Sequence, residues 1–263
     1  MLLSGFPQDG LARYDGGNYN PQGTGVIRTG RAERTGKAID LDSMQPYLAP
    51  GRFIDSDHPD VVAFAAASSG AATDADVTRA LRLYAAVRDS IRYEVYLDFR
   101  ADSTYRASAV LQAGYGFCVG KAALLAACAR ALGIPARVGY ADVRNHMTSP
   151  RMRATMGTDL FVWHSFTELW LDGKWVKATP AFDAGLCARI GLAPLEFDGH
   201  SDSLFHAYDR EGRRHMEYVT DRGSYADVPA AVIISDMCAL YPGLIEMAQV
   251  KAEFRSEAVS PDS

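Results

Sequence analysis

The sequence predicts an α+β fold, in which helices come first along the chain and an antiparallel sheet follows. Between residues 77 and 91, apolar residues recur at three-to-four spacing, the period of a helix with one buried face. A nearly unbroken apolar run then spans residues 119–132. Beyond Pro135 the period changes to two, which is typical of strands. Helices grouped before strands favour an α+β fold over the alternating order of a parallel sheet.

Four helices are expected in the first half of the chain. A short helix covers residues 61–67, a longer one covers 77–91, and a third surrounds residues 107–111. The fourth helix covers 119–132 and ends at Gly133 and Pro135. Because it is apolar nearly all round, we expect it to be covered on most sides and to lie at the centre of the fold.

Strands dominate the predicted second half. Residues 137–143 and 161–171 alternate as strands do, and Asp172-Gly173 is a hairpin turn signal, so residues 174–179 form the returning strand. Pro180 ends that strand because it has no N–H to donate. The polar segment 144–159 is predicted to be a loop. Further on, we expect a hairpin with its turn at 209–212 and a C-terminal helix over 237–251.

Composition restricts the classes of function. The chain has 263 residues, of which 48% are hydrophobic and 22% charged, as in ordinary globular proteins. Its net charge of −5 and the lack of a basic run argue against a nucleic-acid partner. No apolar stretch reaches the roughly 18 residues that span a bilayer, and the N-terminus does not resemble a signal peptide, so we expect no membrane partner.

The domain organisation is expected to be simple. Residues 1–37 are rich in Gly, Arg and Thr without a period, and we interpret them as a flexible N-terminal tail. Residues 38–263 form a single domain, with a catalytic core at about 80–185 and a C-terminal extension over 186–263. The four cysteines are dispersed and form no CxxC pair, which favours a reducing, cytoplasmic location and predicts no metal site. The oligomeric state stays open.

Cys118 is the candidate nucleophile. It follows a glycine-containing loop at 114–117 and stands in the first turn of the apolar helix. The unpaired N–H groups of a helix N-terminus and the helix dipole lower the pKa of a thiol placed there. A thiolate in this position predicts covalent catalysis, for which a base is needed nearby.

His164 is the candidate base. It lies within the strand 161–171 among aromatic residues, a setting that can hold an imidazole in one rotamer. A third group often orients such a histidine. Asp183 and Thr179, at the end of the returning strand, are the two candidates, and the choice between them stays open.

Several motifs together resemble the transglutaminase-like core of the papain-like cysteine enzyme superfamily. They are the segments 116–125 and 131–137, the pair Trp163-His164 and the hairpin 171–176, which come in the order of the family. The resemblance covers about residues 80–185. It implies a central helix carrying Cys118, packed on an antiparallel sheet that carries His164 and an acid. It also implies acyl transfer through a cysteinyl thioester, without a cofactor.

The resemblance adds further candidate residues and one departure from the family pattern. Gln112 lies six residues before Cys118, the spacing that papain-like proteases use for an oxyanion donor. Tyr115 and Trp163 are candidate substrate-binding residues. The family usually places its aspartate four residues after the hairpin tryptophan, where this chain has Thr179.

These observations favour a thiol-dependent hydrolase of amide or peptide bonds, with a peptide or protein amide as its substrate. Two alternatives remain. The chain could transfer the acyl group of a protein glutamine to an amine, as a transglutaminase does. It could also be a catalytically silent member that binds a peptide or serves as a scaffold, which the absence of the usual acid at Thr179 would favour.

Overall fold

The computed structural model describes residues 41–146, 148–205 and 215–247. The predicted tail at 1–37 and the predicted turn at 209–212 therefore lie outside the described residues. The helices are α1 (Leu41–Met44), α2 (Pro59–Ser69), α3 (Asp76–Ser90), α4 (Ala107–Ala113), α5 (Cys118–Ala131), α6 (Pro150–Met156), α7 (Ala184–Ile190) and α8 (Ala230–Leu240). The strands are β1 (Arg92–Tyr93), β2 (Tyr115–Gly116), β3 (Ala136–Asn145), β4 (Leu160–Leu171), β5 (Lys174–Ala178) and β6 (Met216–Tyr225).

The main sheet has the strand order β5-β4-β3-β6, and each neighbouring pair is antiparallel. Asp172 and Gly173 both have positive φ in the turn between β4 and β5, as the hairpin signal required. A separate parallel pair, β1 with β2, lies directly before α5. Helices followed by this antiparallel sheet confirm the predicted α+β fold.

Helix α5 is the centre of the core, as its apolar sequence predicted. Every residue from Cys118 to Arg130 is buried. Its small side chains allow neighbours to approach closely, and a Cβ added at Gly120 would come within 2.8 Å of the carbonyl oxygen of Thr104. On the sheet side, the hydroxyl of Thr167 in β4 donates to the carbonyl of Ala122 at 2.8 Å. These contacts fix the position of the helix that begins at Cys118.

Lys121 is a buried polar residue that anchors α5 to α3. Its Nζ donates to the carbonyl oxygens of Arg88 at 2.8 Å and Ile91 at 2.5 Å, at the C-terminal end of α3. Burial lowers the pKa of Lys121 to about 7, although Asp183 and Asp89 oppose the shift. The lysine is thus a capping group for α3 rather than a solvated side chain.

The predicted loop at 144–159 is wrong in part, because α6 lies within it. The hydroxyl of Ser149 accepts a hydrogen bond from the N–H of Met152, Pro150 occupies the first turn, and Gly157 ends the helix with positive φ. A serine N-cap followed by proline and closed by glycine is a helix pattern that the polar composition obscured.

The C-terminal helix also begins earlier than predicted. Helix α8 starts at Ala230, directly after Pro229, and ends at Leu240, and residues 242–247 are helical after an interruption at Tyr241. The rest of the predicted span, 248–251, lies outside the described residues. Within the described ranges, no helix has the length and apolar character needed to cross a membrane.

Candidate active site

Cys118 is the first residue of α5. Phe117 directly before it is extended and provides no side-chain cap, so the first-turn N–H groups of α5 are not used by a capping side chain. The loop before the helix is shaped by Gly114, which ends α4 in the left-handed conformation. Cys118 as a whole residue is 8% exposed and so is buried close to the surface.

His164 lies on β4 next to a bulge. Ala141 of β3 pairs with His164, whereas Val143 pairs with Phe161, so β4 has one more residue than β3 in this interval. The additional residue is accommodated at Trp163, whose φ of 60° lies in the left-handed region. For a bulky residue, that conformation costs about 1–2 kcal/mol of free energy. The bulge therefore determines the direction in which His164 leaves the strand.

Side chains form hydrogen bonds with the backbone groups that lose their partners in the β-sheet at the bulge. The N–H of Val162 donates to the hydroxyl of Tyr241 at 2.8 Å, and that hydroxyl donates to the carbonyl of Leu160. The N–H of Trp163 donates to Oδ1 of Asp142 at 3.1 Å. The two N–H groups before His164 are thus satisfied inside the protein, as buried backbone donors generally are.

A polar network extends from the bulge to β6 and α8. The indole N–H of Trp163 donates to Asp236 at 2.8 Å. The guanidinium of Arg222 donates to both Asp142 and Asp236, and its carbon lies 4.4 Å from the centroid of the Trp163 ring. The backbone and the ring of Trp163 are therefore both held by charged partners from three elements.

The electrostatics of Cys118 differ from the expectation for a helix N-terminus. Burial raises the pKa of the thiol to about 11, although the backbone N–H groups of Ser165, Val119 and Cys118 itself favour the thiolate. A rise of two pKa units corresponds to about 3 kcal/mol, whereas a helix dipole typically contributes 0.3–1 kcal/mol. The predicted thiolate is therefore incorrect for this structure, in which Cys118 is a neutral thiol at pH 7.

His164 is also neutral at pH 7. Burial lowers the pKa of its imidazole to about 4. Its ring lies 5.4 Å from that of Phe205 and 6.3 Å from that of Tyr218, measured between centroids. Among the residues that the structure describes, Nε2 of His164 has no hydrogen-bond partner. An unprotonated imidazole without a competing partner at this nitrogen is free to act as a proton acceptor.

Cys118 and His164 line the same cavity, which has a volume of about 80 Å³. The walls are mainly apolar and come from both halves of the fold. They include Tyr93, Val95, Phe99, Phe117, Val143, Asn145, Met152, Met156, Phe161, Val162, Phe182, Met216, Met237, Tyr241 and Leu244. The structure thus brings together the two residues to which the sequence assigned the chemistry.

Neither candidate for the third position contacts His164. The two carboxylate oxygens of Asp183 accept from the N–H groups of Leu186 and Tyr93, each at 2.8 Å, so this residue caps α7 and fixes β1. The hydroxyl of Thr179 donates to the carbonyl of Ser203 at 2.8 Å. Both side chains are thus engaged by backbone groups, and the orientation of the imidazole by one of them stays a prediction.

The remaining candidates lie outside the cavity wall. The side-chain amide of Gln112 is exposed and donates to Asp60 at 2.8 Å, which does not fit the predicted oxyanion donor. The ring of Tyr115 lies 5.6 Å from the guanidinium carbon of Arg92. Trp163 packs against Tyr140, so its contribution to the site is through the bulge rather than through substrate contact.

Sequence reasoning missed two groups of residues. Asp142 was not singled out, since an aspartate within a strand gives no indication of a partner 80 residues further along the chain. Methionines of the cavity wall were also missed, although the helix signals of Ser149 and Pro150 could have placed Met152 and Met156 on one element. Within the described part of the chain, no cluster of three or more potential metal ligands occurs.

The arrangement of helix and sheet around Cys118 and His164 agrees with the resemblance inferred from the motifs. A buried helix that begins with cysteine, packed on an antiparallel sheet that carries histidine, is the arrangement of the transglutaminase-like and papain-like cysteine-dependent enzymes. Residues 63–180 match the model of the Transglutaminase-like superfamily, which confirms the resemblance inferred from the motifs. The match begins earlier than the predicted core at about 80.

Comparison with solved structures gives distant similarities. A candidate cysteine protease from Cytophaga hutchinsonii is 18% identical with a TM-score of 0.44, and the match covers 73% of this chain and 50% of that one. A candidate protease from Parabacteroides distasonis is 17% identical with a TM-score of 0.35, covering 53% and 25%. This chain thus spans half or less of the length of both. No curated protein shows significant sequence similarity to it.

Proposed function

We propose that the protein is a thiol-dependent hydrolase of amide or peptide bonds, with Cys118 as the nucleophile and His164 as the general base and acid. The observation that supports this assignment is the cavity that both residues line. In addition, the buried Nε2 of His164 has no hydrogen-bond partner among the described residues. The family match over residues 63–180 supports the class of chemistry.

The pKa values determine how the reaction starts. With the thiol near 11 and the imidazole near 4, the resting pair is neutral at pH 7. The nucleophile therefore forms as the reaction proceeds: the proton of Cys118 passes to His164 while sulfur attacks the substrate carbonyl. This is general-base catalysis of thiol addition rather than attack by a preformed thiolate.

The remaining steps use the same two residues. The carbon–nitrogen bond of the amide breaks, and His164 returns its proton to the leaving amine, which leaves an acyl thioester on Cys118. His164 then accepts a proton from water, the resulting hydroxide equivalent attacks the thioester, and the carboxylic acid leaves as Cys118 regains its proton. The proposal assigns the stabilisation of the oxyanion in both addition steps to backbone N–H groups of the first turn of α5.

The pair acts without a third member in this proposal. Asp183 is assigned to capping α7, and Thr179 to the contact with Ser203. The orientation of the imidazole is assigned instead to the bulge at Trp163, which is held by Asp142 and Tyr241. In this proposal the held backbone fixes the direction of the Cα–Cβ bond of His164, and the neighbouring rings of Phe205 and Tyr218 restrict the rotation of its imidazole.

Alkylation with iodoacetamide near neutral pH tests the pair. Cys238 is partly exposed and serves as an internal reference for thiol reactivity. We expect His164→Ala to slow the labelling of Cys118 at least tenfold, while the labelling of Cys238 is unchanged. Equal labelling of Cys118 with and without the imidazole would show that His164 is not its base.

Acyl transfer to an amine is the second candidate, since a thioester can react with either nucleophile. The described residues of the cavity wall include no charged side chain that would bind an ammonium group. Hydrolysis is therefore favoured. If a labelled primary amine is incorporated into a glutamine-containing protein at a rate comparable to hydrolysis, acyl transfer becomes the favoured function.

A further inference from the structure

The cavity next to Cys118 has an unusual wall. Four methionines contribute to it: Met152 and Met156 from α6, Met216 from β6 and Met237 from α8. Three of them are buried, with exposures of 4% for Met156, 4% for Met216 and 6% for Met237. Methionine side chains are flexible and polarisable, and they suit surfaces that adapt to apolar ligands.

The described part of the cavity wall offers no Asp, Glu, Lys or Arg side chain as an anchor. The hydroxyl of Tyr241 is already used by the backbone of β4. A charged group placed here would lose its hydration without gaining an oppositely charged partner among the described lining residues, whereas an apolar group would lose only its contact with water.

The volume determines the size of the occupant. Benzene fits a protein cavity of about 150 Å³, so the volume of about 80 Å³ accommodates roughly three or four carbon atoms. That corresponds to a short aliphatic chain rather than an aromatic ring. Cys118 lies in the wall of the cavity, so a group attached to the carbonyl carbon that its sulfur attacks can occupy the cavity.

We infer that the cavity is the acyl-group subsite of the enzyme and selects a short, uncharged aliphatic group of about three or four carbon atoms on the carbonyl that Cys118 attacks. The inference rests on the proposed function, because it requires the thioester on Cys118. It goes further in naming the class of substrate, which the assignment of Cys118 and His164 leaves open.

A series of p-nitrophenyl esters tests the subsite. Sulfur of Cys118 attacks the ester carbonyl, p-nitrophenolate leaves, and water later releases the acid. The acetate, butyrate, hexanoate and hemisuccinate esters differ only in the acyl group, and release of p-nitrophenolate above the rate of Cys118→Ala gives kcat/KM for each. We expect butyrate to exceed acetate by about tenfold or more, because each buried methylene contributes several-fold, and hexanoate and hemisuccinate to fall below butyrate.

Two variants on the wall locate the selectivity. Met237→Ala enlarges the cavity, so the ratio of hexanoate to butyrate should rise at least fivefold, a gain that a folding defect cannot produce. Met152→Glu places a carboxylate at the wall and should reduce the ratio of butyrate to acetate to nearly one. Ala154→Glu is the matched control, since residue 154 is exposed on the same helix and does not line the cavity; it should retain the ratio of the unmodified protein.

The possible outcomes separate the two proposals. Acylation of Cys118 at equal rates by acetate, butyrate and hemisuccinate would overturn the subsite and leave the proposed function intact. Failure of every ester to acylate Cys118 would overturn both. A preference for butyrate that Met237→Ala and Met152→Glu leave unchanged would place the selectivity elsewhere and also overturn the inference.

Discussion

The Oδ1 atom of Asp142 accepts a hydrogen bond of 3.1 Å from the backbone N–H of Trp163, the residue that directly precedes His164. Asp142 is itself buried and paired with Arg222. The carboxylate therefore stabilises a left-handed residue whose conformation determines where the imidazole lies. In the proposed mechanism, this relationship takes the place of the orienting acid that the family pattern would place after the hairpin tryptophan.

Asp142→Ala should consequently reduce both stability and catalysis. The N–H of Trp163 and one side of Arg222 would lose their partner, at a cost of about 1–3 kcal/mol in the free energy of unfolding. We expect kcat for p-nitrophenyl butyrate to fall at least tenfold in samples that circular dichroism shows to be folded. Asp221→Ala removes an exposed carboxylate from the same strand as Arg222 and serves as the control. An unchanged kcat in the folded Asp142→Ala protein would show that the hydrogen bond between Asp142 and the bulge does not contribute to catalysis.

Burial of His164 predicts a loss of stability in acid. Its pKa is near 4 in the folded protein and about 6.5 in the unfolded chain, so the unfolded state binds more protons between these values. The contribution is complete above pH 6.5 and is lost as the pH falls towards 4, and it amounts to about 3 kcal/mol. Urea unfolding between pH 6.5 and pH 4 measures the free energy of unfolding at each pH. In His164→Gln, this free energy should lack the part of the pH dependence that His164 contributes.

The matched control for that titration is His200→Gln. This change removes a histidine whose side chain is 61% exposed, and it therefore tests whether the effect is specific to the buried imidazole. If His164→Gln and the unmodified protein lose stability in parallel between pH 6.5 and pH 4, the imidazole is not buried in the neutral form.

The rate of acylation should fall only at an unusually low pH. His164 must be unprotonated to accept the proton of Cys118, and burial lowers its pKa to about 4. The rate of p-nitrophenolate release should therefore stay level from about pH 8 down to about pH 5 and reach half its plateau near pH 4. A midpoint near the ordinary histidine value of about 6.5 would mean that the imidazole is solvated when it acts.

Substitution of Asp183 should lower the stability of the protein but should not change the pH at which the acylation rate falls to half its plateau. Asp183→Ala removes the acceptor of the N–H groups of Leu186 and Tyr93, with an expected cost of about 1–3 kcal/mol in unfolding. Because the carboxylate does not contact His164, the pH of half-maximal acylation should be unchanged. A shift of that midpoint by about one pH unit would restore Asp183 as the third member of the site.

The parts of the site that the sequence predicts are those with local patterns. The apolar run after Phe117 indicates a buried helix that begins near Cys118, and the alternation around His164 indicates a strand. The hairpin turn at Asp172 and Gly173 is equally local. All of these depend on neighbours within a few residues, for which periodicity and turn preferences are reliable guides.

The parts that could not be predicted depend on distant contacts or on a balance of opposing effects. A left-handed Trp163 contradicts the preference of aromatic residues. Asp142 and Asp236 accept from its backbone N–H and its indole, and Tyr241 bonds the neighbouring Val162. Gln112 has the spacing of an oxyanion donor, but Asp60 of α2 holds its amide at the surface. The thiol of Cys118 has the right place for a lowered pKa, yet desolvation exceeds the effect of the helix end.

The central claim is that Cys118 carries an acyl thioester whose formation requires His164. The most direct measurement is an acid quench after brief exposure to p-nitrophenyl butyrate, followed by mass spectrometry of the intact protein and its peptides. The account predicts one butyryl group per chain, on Cys118, in the unmodified protein and at least tenfold less in His164→Ala. A butyryl group on another residue, or equal acylation of Cys118 in both proteins, would contradict it.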